Sequence, residues 1–395
     1  IEPFNNSTLT RLQKARIAVS VIFFVNGAGF ASWVPHIPMI RDRFSLSESE
    51  LGLTLLIIAI GAILAMPIAG GLVEKIGSKS VVRFTAIGFC LLLATLLLMP
   101  NYLSLAVLLF FFGMVNGSMD VAMNAHGVLV EQKYQQAIMS SFHGLFSSGG
   151  LAGAGLASAF LVMGFTPVQH MLIMLSILFV LVLVALRFLL PPEKVGKNDS
   201  TKKEPLLVFP SQPLVWYLAL LGFFILMVEG AMADWTAIHI MDLPNATASQ
   251  AAIGFAAFSL TMAAGRLLGD KIIRAVGRQK VLQFGSLIAA IGLLAVFLIL
   301  EIWGAIIGFG LVGVGLSNVI PIIFSSAGYA NPEAPGRGIA AVTTMGYFGF
   351  LIGPPLIGFI AEGISLNGAW LMLAIFLGVV VVLAPRIIRR LPTNL

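Results

Sequence analysis

Charge and cysteine are what this 395-residue chain has least of. Charged residues make up 10% of it, against about 25% in a soluble domain. A single cysteine, Cys90, excludes an internal disulfide and a cysteine-based metal cluster. No HExxH, GxSxG, Walker A or CxxC pattern occurs, so neither an enzyme nor a metal or cofactor site is expected. Long hydrophilic stretches are equally scarce. One alone stands out, Pro191 to Pro213, with Glu193, Lys194, Lys197, Asp199, Lys202, Lys203 and Glu204 between prolines. It reads as a linker over 191–212 between an N-terminal half (1–190) and a C-terminal half (213–395).

What is abundant is apolar surface: 58% of residues are hydrophobic and the mean hydropathy is +1.00. Hydrocarbon gives backbone amides no partners, and the runs show no strand alternation, so they must be helices. Spans are expected at 17–40, 50–73, 81–99, 104–130, 137–163 and 168–190, then at 213–241, 249–269, 281–300, 303–326, 339–361 and 368–386. Each is close to the roughly 20 residues that cross a bilayer. The fold class is therefore an all-α membrane protein of twelve helices. Counted through alternate connections, 21 of the 23 Lys and Arg lie on the side carrying both termini, and only Arg41 and Arg43 lie opposite. The positive-inside rule puts both termini in the cytoplasm. The net charge of +6 is spread over many short membrane-flanking loops, so nucleic acid is not an expected partner.

The halves repeat each other. Asn26-Gly27-Ala28, Ser32-Trp33 and His36 answer to Glu229-Gly230-Ala231, Asp234-Trp235 and His239, and Gly149, Leu151, Gly153 and Leu156 recur 200 positions later as Gly349, Leu351, Gly353 and Leu356. Duplicated membrane bundles usually enclose a central site. The glycine runs let helices approach closely, with sliding as a second use.

Gly70 to Lys79 runs through Glu74, Lys75 and Gly77 between the second and third spans, and Gly265 to Lys280 runs through Asp270, Gly277 and Arg278 between the eighth and ninth. Either segment alone reads as a charged turn obeying topology. Together they resemble the loop signature of the major facilitator superfamily, Gly-x-x-x-Asp-Arg-x-Gly-Arg-basic, with Glu74 for the usual Asp, Lys75 for Arg and Ser78 for a second Arg. The resemblance covers essentially the whole chain. It implies two pseudo-symmetric six-helix bundles with the site between them, alternating access, and a monomer. It also implies gating roles for Gly70, Glu74, Lys75, Gly77 and Lys79 and for Gly265, Asp270, Gly277 and Arg278. The polar first, fourth and seventh spans are most similar to the fucose-permease-like sugar symporters and related bacterial inner-membrane members.

Polar residues inside spans mark the candidate site. An ionised side chain at the bilayer centre costs about 2.5–3.5 kcal/mol on insertion scales, so it needs a cavity, a partner or a proton. Asp120 lies in the fourth span with Asn116 and Asn124 one turn to either side, on one face. Two readings compete: an interhelical hydrogen-bond clamp, and a carboxyl that loads and releases a proton, as the resemblance implies. Glu229 in the seventh span is a second titrating group, a solute acceptor, or a buried partner for a polar group such as Asn26 or Asn318. Trp33 and Trp235 read first as interfacial belt residues, with stacking on a sugar ring as the alternative, and Asp234 sits beside Trp235. Asn26, Asn116, Asn124, His143, Asn318 and Tyr347 complete the candidate ligands, His143 because Ser140, Ser141, Ser147 and Ser148 surround it in sequence. The expected partners are a small polar solute, protons and the lipid bilayer. Drug exporters of the resembled family carry Gly-Pro on the fifth helix, whereas Ala154 follows Gly153 here. Export of amphipathic compounds therefore ranks second, and a non-transporting receptor third.

Overall fold

A computed structural model describes residues 6–191 and 210–391. Of the expected linker, residues 192–209 lie outside the described residues. Twelve helices are long and apolar enough to cross a membrane: α1 (Thr10–Arg43), α2 (Glu50–Ile76), α3 (Ser78–Leu98), α4 (Tyr102–Tyr134), α5 (Met139–Val162), α6 (Pro167–Phe188), α7 (Pro213–Met241), α8 (Ser249–Val276), α9 (Arg278–Leu298), α10 (Ile302–Ala330), α11 (Pro335–Gly363) and α12 (Leu366–Ile388). No strand occurs among the described residues. The twelve expected spans are all present. Their polar ends are not where apolarity stops: α8 continues from Gly269 through Asp270, Lys271 and Arg274 to Val276, and α4 runs on to Tyr134. Helix propagation requires an unbroken hydrogen-bond ladder and not an apolar side chain, so charged turns extend both helices.

How the helices begin depends on which end is considered. Ser47, Asn101, Thr166, Thr247 and Ser365 accept a backbone N–H three residues on, opening α2, α4, α6, α8 and α12, and four of these five are reciprocal capping boxes. α3 and α9 start instead behind Gly77 (φ 81°) and Gly277 (φ 91°), in left-handed backbone that glycine adopts without strain. Two helices are broken internally. Pro35 and Pro38 impose a 3₁₀ turn at Val34–His36 in α1. In α10, Ser317 and Asn318 separate Ile302–Leu316 from Val319–Ala330. Pro321 carries no N–H to bond the Ser317 carbonyl one turn back, which accounts for that break.

The chain divides into two compact units. Unit 1 takes Ile1–Gln135, Leu145–Phe209 and Glu333–Ala340, and unit 2 takes Gln136–Gly144, Pro210–Pro332 and Ala341–Leu395. The same pairings recur inside each: α2 on α4, α3 on α4 and α6, and α1 on α6 in the first, and α8 on α10, α9 on α10 and α12, and α7 on α12 in the second.

The repeated glycines explain themselves in this packing. A Cβ on Gly149 would collide with the Phe24 carbonyl oxygen of α1, and one on Gly349 with the Phe223 carbonyl oxygen of α7. Gly153 faces the Ala28 carbonyl in the same way, and Gly353 lies against Met227. The duplication therefore conserves a crossing at which backbone touches backbone. Gly149→Val should destabilise the detergent-solubilised protein by about 1–3 kcal/mol, read as a fall of several degrees in Tm. Gly155→Ala, where an added Cβ meets nothing within 4 Å, should leave Tm unchanged; equal Tm values for the two variants would remove the close-packing explanation.

Candidate functional site

In unit 1 the polar stripe of α4 is bonded to α1 at one residue and to itself at the other two. Asn26 of α1 donates from Nδ2 to Asn116 Oδ1 at 2.9 Å and touches Met119 Sδ at 3.6 Å. Asn124 donates from Nδ2 to the Asp120 carbonyl at 2.8 Å and to its Oδ1 at 3.0 Å. Asn26, Asn116 and Asn124 are buried, while Asp120 is half-buried. Among the described residues Asp120 forms no ion pair.

In unit 2 the second intramembrane carboxylate is treated differently. Arg266 of α8 donates from one terminal nitrogen to Glu229 Oε1 at 3.0 Å and Oε2 at 3.2 Å. The arginine side chain is 6% exposed and the glutamate 21%. This corrects two expectations. The partner of Glu229 is neither Asn26 nor Asn318, since Asn26 bonds Asn116 and Asn318 donates to the Gly265 carbonyl (3.1 Å) and Ser317 Oγ (3.0 Å). And Arg266, counted among loop cations, is buried inside a helix. Its signal was available: it is a guanidinium ten residues before the end of α8, four before Asp270. His143 is buried and stacks on Phe324 with ring centroids 5.6 Å apart and planes 13° from parallel. Asn318 sits at the α10 break with Oδ1 buried and unpartnered, and Tyr347 is half-buried on α11.

Trp33 is 2% exposed, so it is a packed residue and not a belt residue. Trp235 is half-buried beside Gly358, and Asp234 is exposed. The two indole N–H groups, matched by the repeat, are both buried without an acceptor. The matched histidines are each hydrogen-bonded: His36 Nε2 lies 2.9 Å from His170 Nδ1, and His239 Nδ1 accepts from the Trp370 indole at 3.0 Å.

The loop acids accept backbone N–H groups from the first turns of α5 and α11. Glu74 Oε1 accepts the Gly336 N–H at 2.7 Å, at the start of α11, and Asp270 Oδ1 accepts the Ser141 N–H at 3.0 Å, at the start of α5. A carboxylate at a helix N-terminus meets both free N–H groups and the positive end of the dipole. These anchors account for residues 333–340 belonging to unit 1 and 136–144 to unit 2. A Cβ on Gly70 would lie 2.6 Å from that of Ala340, so glycine there permits the approach. In the second copy that task falls to Gly269, packed on Ser140, while Gly265 packs on Ser317. Lys75 is exposed, Lys79 donates to the Leu189 carbonyl at 2.9 Å, and the Arg278 guanidinium lies 5.1 Å from the Tyr329 ring centre. Among the described residues no three His, Cys, Asp or Glu side chains converge on a metal-sized site.

The Major Facilitator Superfamily pattern matches residues 19–327 and, in a second match, 231–395. This chain belongs to the Major Facilitator Superfamily. It is a multi-pass membrane transporter that binds small-molecule solutes, and not an enzyme. An uncharacterized MFS-type transporter of Yersinia pestis is 40% identical over 92% of this chain and 93% of its own length. The membrane protein MosC of Rhizobium meliloti is 32% identical over 93% and 88%. Among solved structures, the transporter FucP in its outward conformation superposes with a TM-score of 0.78 at 20% identity, covering 94% of this chain and 98% of that one. The proton:xylose symporter XylE gives 0.73 at 12% identity over 96% of both. These likenesses establish the twelve-helix fold.

Removing one member of a buried ion pair strands the other, at a cost of about 3 kcal/mol. Arg266→Gln should therefore lower Tm more than the double variant Glu229→Gln/Arg266→Gln, which leaves no unpaired charge. A double variant as unstable as the single one would show that the pair is not a stabilising unit.

Proposed function

We propose that this protein moves a small polar solute, sugar-like or polyol-like, by alternating access of its two six-helix halves (1–190 and 213–395), driven by protons. One contrast carries the reading. Glu229 has the Arg266 guanidinium to offset its charge, whereas among the described residues the one side chain hydrogen-bonded to the Asp120 carboxyl is the neutral amide of Asn124. An ionised Asp120 has no counter-ion, and a proton is what discharges it. Asp120 is the coupling residue. Glu229 is the second, acting through its exchange with Arg266.

Asn26, Asn116 and Asn124 of unit 1, and His143, Asn318 and Tyr347 of unit 2, offer amide, imidazole and hydroxyl groups to solute hydroxyls. Trp33 and Trp235, with Asp234 beside the latter, add two indole donors that have no acceptor of their own; a buried donor without a partner calls for a ligand or water. The solved neighbours include a fucose:proton symporter and a proton:xylose symporter, which agrees with a hydroxyl-rich solute. Glu74 and Asp270, with Gly70, Lys75, Gly77 and Lys79 and with Gly265, Gly277 and Arg278 around them, form paired latches that release α11 and α5 during the cycle. The excess of Lys and Arg on the side of the termini supports a cytoplasmic location for those termini, in a bacterial inner membrane.

Proteoliposomes with an imposed pH gradient test the mechanism. The wild type should concentrate the solute, identified by thermal-shift screening of sugars and polyols. Asp120→Asn should equilibrate it without concentrating it. Accumulation by Asp120→Asn at the wild-type level would remove Asp120 from the coupling role.

A further inference from the structure

We propose that a cavity in unit 1, where the start of α1, the start of α3 and the end of α6 meet, binds the phosphate of an anionic phospholipid headgroup. The cavity measures about 310 Å³ and is lined by Arg11, Lys14, Lys79 and Arg187, with Phe188 and Leu189 among its apolar wall, and no carboxylate of the described residues lines it. Among the described residues none of the four cations is in an ion pair. Lys79 is held by the Leu189 carbonyl at 2.9 Å, and Lys14 lies 6.0 Å from the centre of the Phe188 ring. Arg11 and Arg83 both repel Lys79 electrostatically.

The positive-inside rule asks for cations near a helix end; it does not ask that they converge on one hollow. Convergence without a counter-ion is unfavourable unless an anion fills the space, and guanidinium and ammonium groups together suit a phosphate. The surroundings select a lipid over a free ion. Ile177, Val180, Val184 and Phe188 are exposed at helical spacing along one face of α6, leading into the bilayer from the cavity, and Ile17 is exposed one turn beyond Lys14 on α1. A headgroup seated on the cations has its acyl chains against this apolar track, which inorganic phosphate cannot use. Basic pockets between membrane helices recognise acidic headgroups by this combination.

Native mass spectrometry of the whole chain, purified in detergent, separates the sources. Titrants are phosphatidylglycerol, phosphatidylcholine of the same acyl chains, and inorganic phosphate. Phosphatidylglycerol should bind about tenfold or more tighter than phosphatidylcholine, and Arg11→Gln/Arg187→Gln should weaken it about tenfold. Arg389→Gln/Arg390→Gln, which removes two exposed cations at the end of α12, should leave it within about twofold; size-exclusion profiles check that both variants stay folded. Equal binding of the two lipids, or equal loss in the two variants, overturns the site. Displacement by inorganic phosphate at equal concentration makes a free anion the ligand and overturns the lipid assignment. Binding that emerges only after Glu193→Gln/Asp199→Asn/Glu204→Gln makes the chain's own carboxylates the occupant, with the same consequence.

Discussion

A carboxylate in a membrane helix must be offset by a cation, a helix terminus or a proton, because hydrocarbon offers no water to do it. Four acids of this chain meet that demand in different ways. Glu229 takes the cation, Arg266. Glu74 and Asp270 take the helix termini, those of α11 and α5. Among the described residues the Asp120 carboxyl is hydrogen-bonded by the Asn124 amide and by no cation and, in the proposed mechanism, takes the proton. What each acid does follows from which compensation it has. In the proposed mechanism the helix-terminal acids hold elements in place, the paired acid is electrically quiet until its arginine moves, and the uncompensated acid responds to the proton gradient.

Capping chemistry divides along the same line. Five of the six helices opening on the face away from the termini carry their own Ser, Asn or Thr caps, α10 behind Glu301 being the exception, so their first turns are complete within a few residues of sequence. α5 and α11 open on the other face and obtain theirs from α8 and α2. A local cap persists whatever the rest of the protein does, whereas a borrowed one exists only while two helices are in register. The two acids are not at equivalent positions: Glu74 precedes Gly77 by three residues and Asp270 precedes Gly277 by seven, about one helical turn apart. The duplicated halves keep the interaction and have let its address drift.

The number of helices, the loop acids and the glycine repeat were legible because each leaves a mark within a short stretch of sequence. The partner of Glu229 was not, because Arg266 lies 37 residues away and stands next to a charged loop motif. Composition assigned it to the loop; geometry puts it inside. Helix rotation is the missing quantity. Helices apolar all round give no hydrophobic stripe to orient them, so only a line of polar residues such as Asn116, Asp120 and Asn124 reveals a face. Trp33 shows the limit of depth as a guide: its position along α1 suits an interfacial residue, and its rotation buries it.

At the α1–α5 and α7–α11 crossings, Gly149, Gly153 and Gly349 bring main-chain carbonyls into contact with glycine Cα atoms and leave no side chain between them. Interlocked side chains act as teeth, and a helix that shifts past them must reset their rotamers. A crossing of bare backbone is a rail instead. A helix gliding along it by fractions of a turn meets no torsional barrier from its neighbour at those glycines, so close packing there does not lock the crossing.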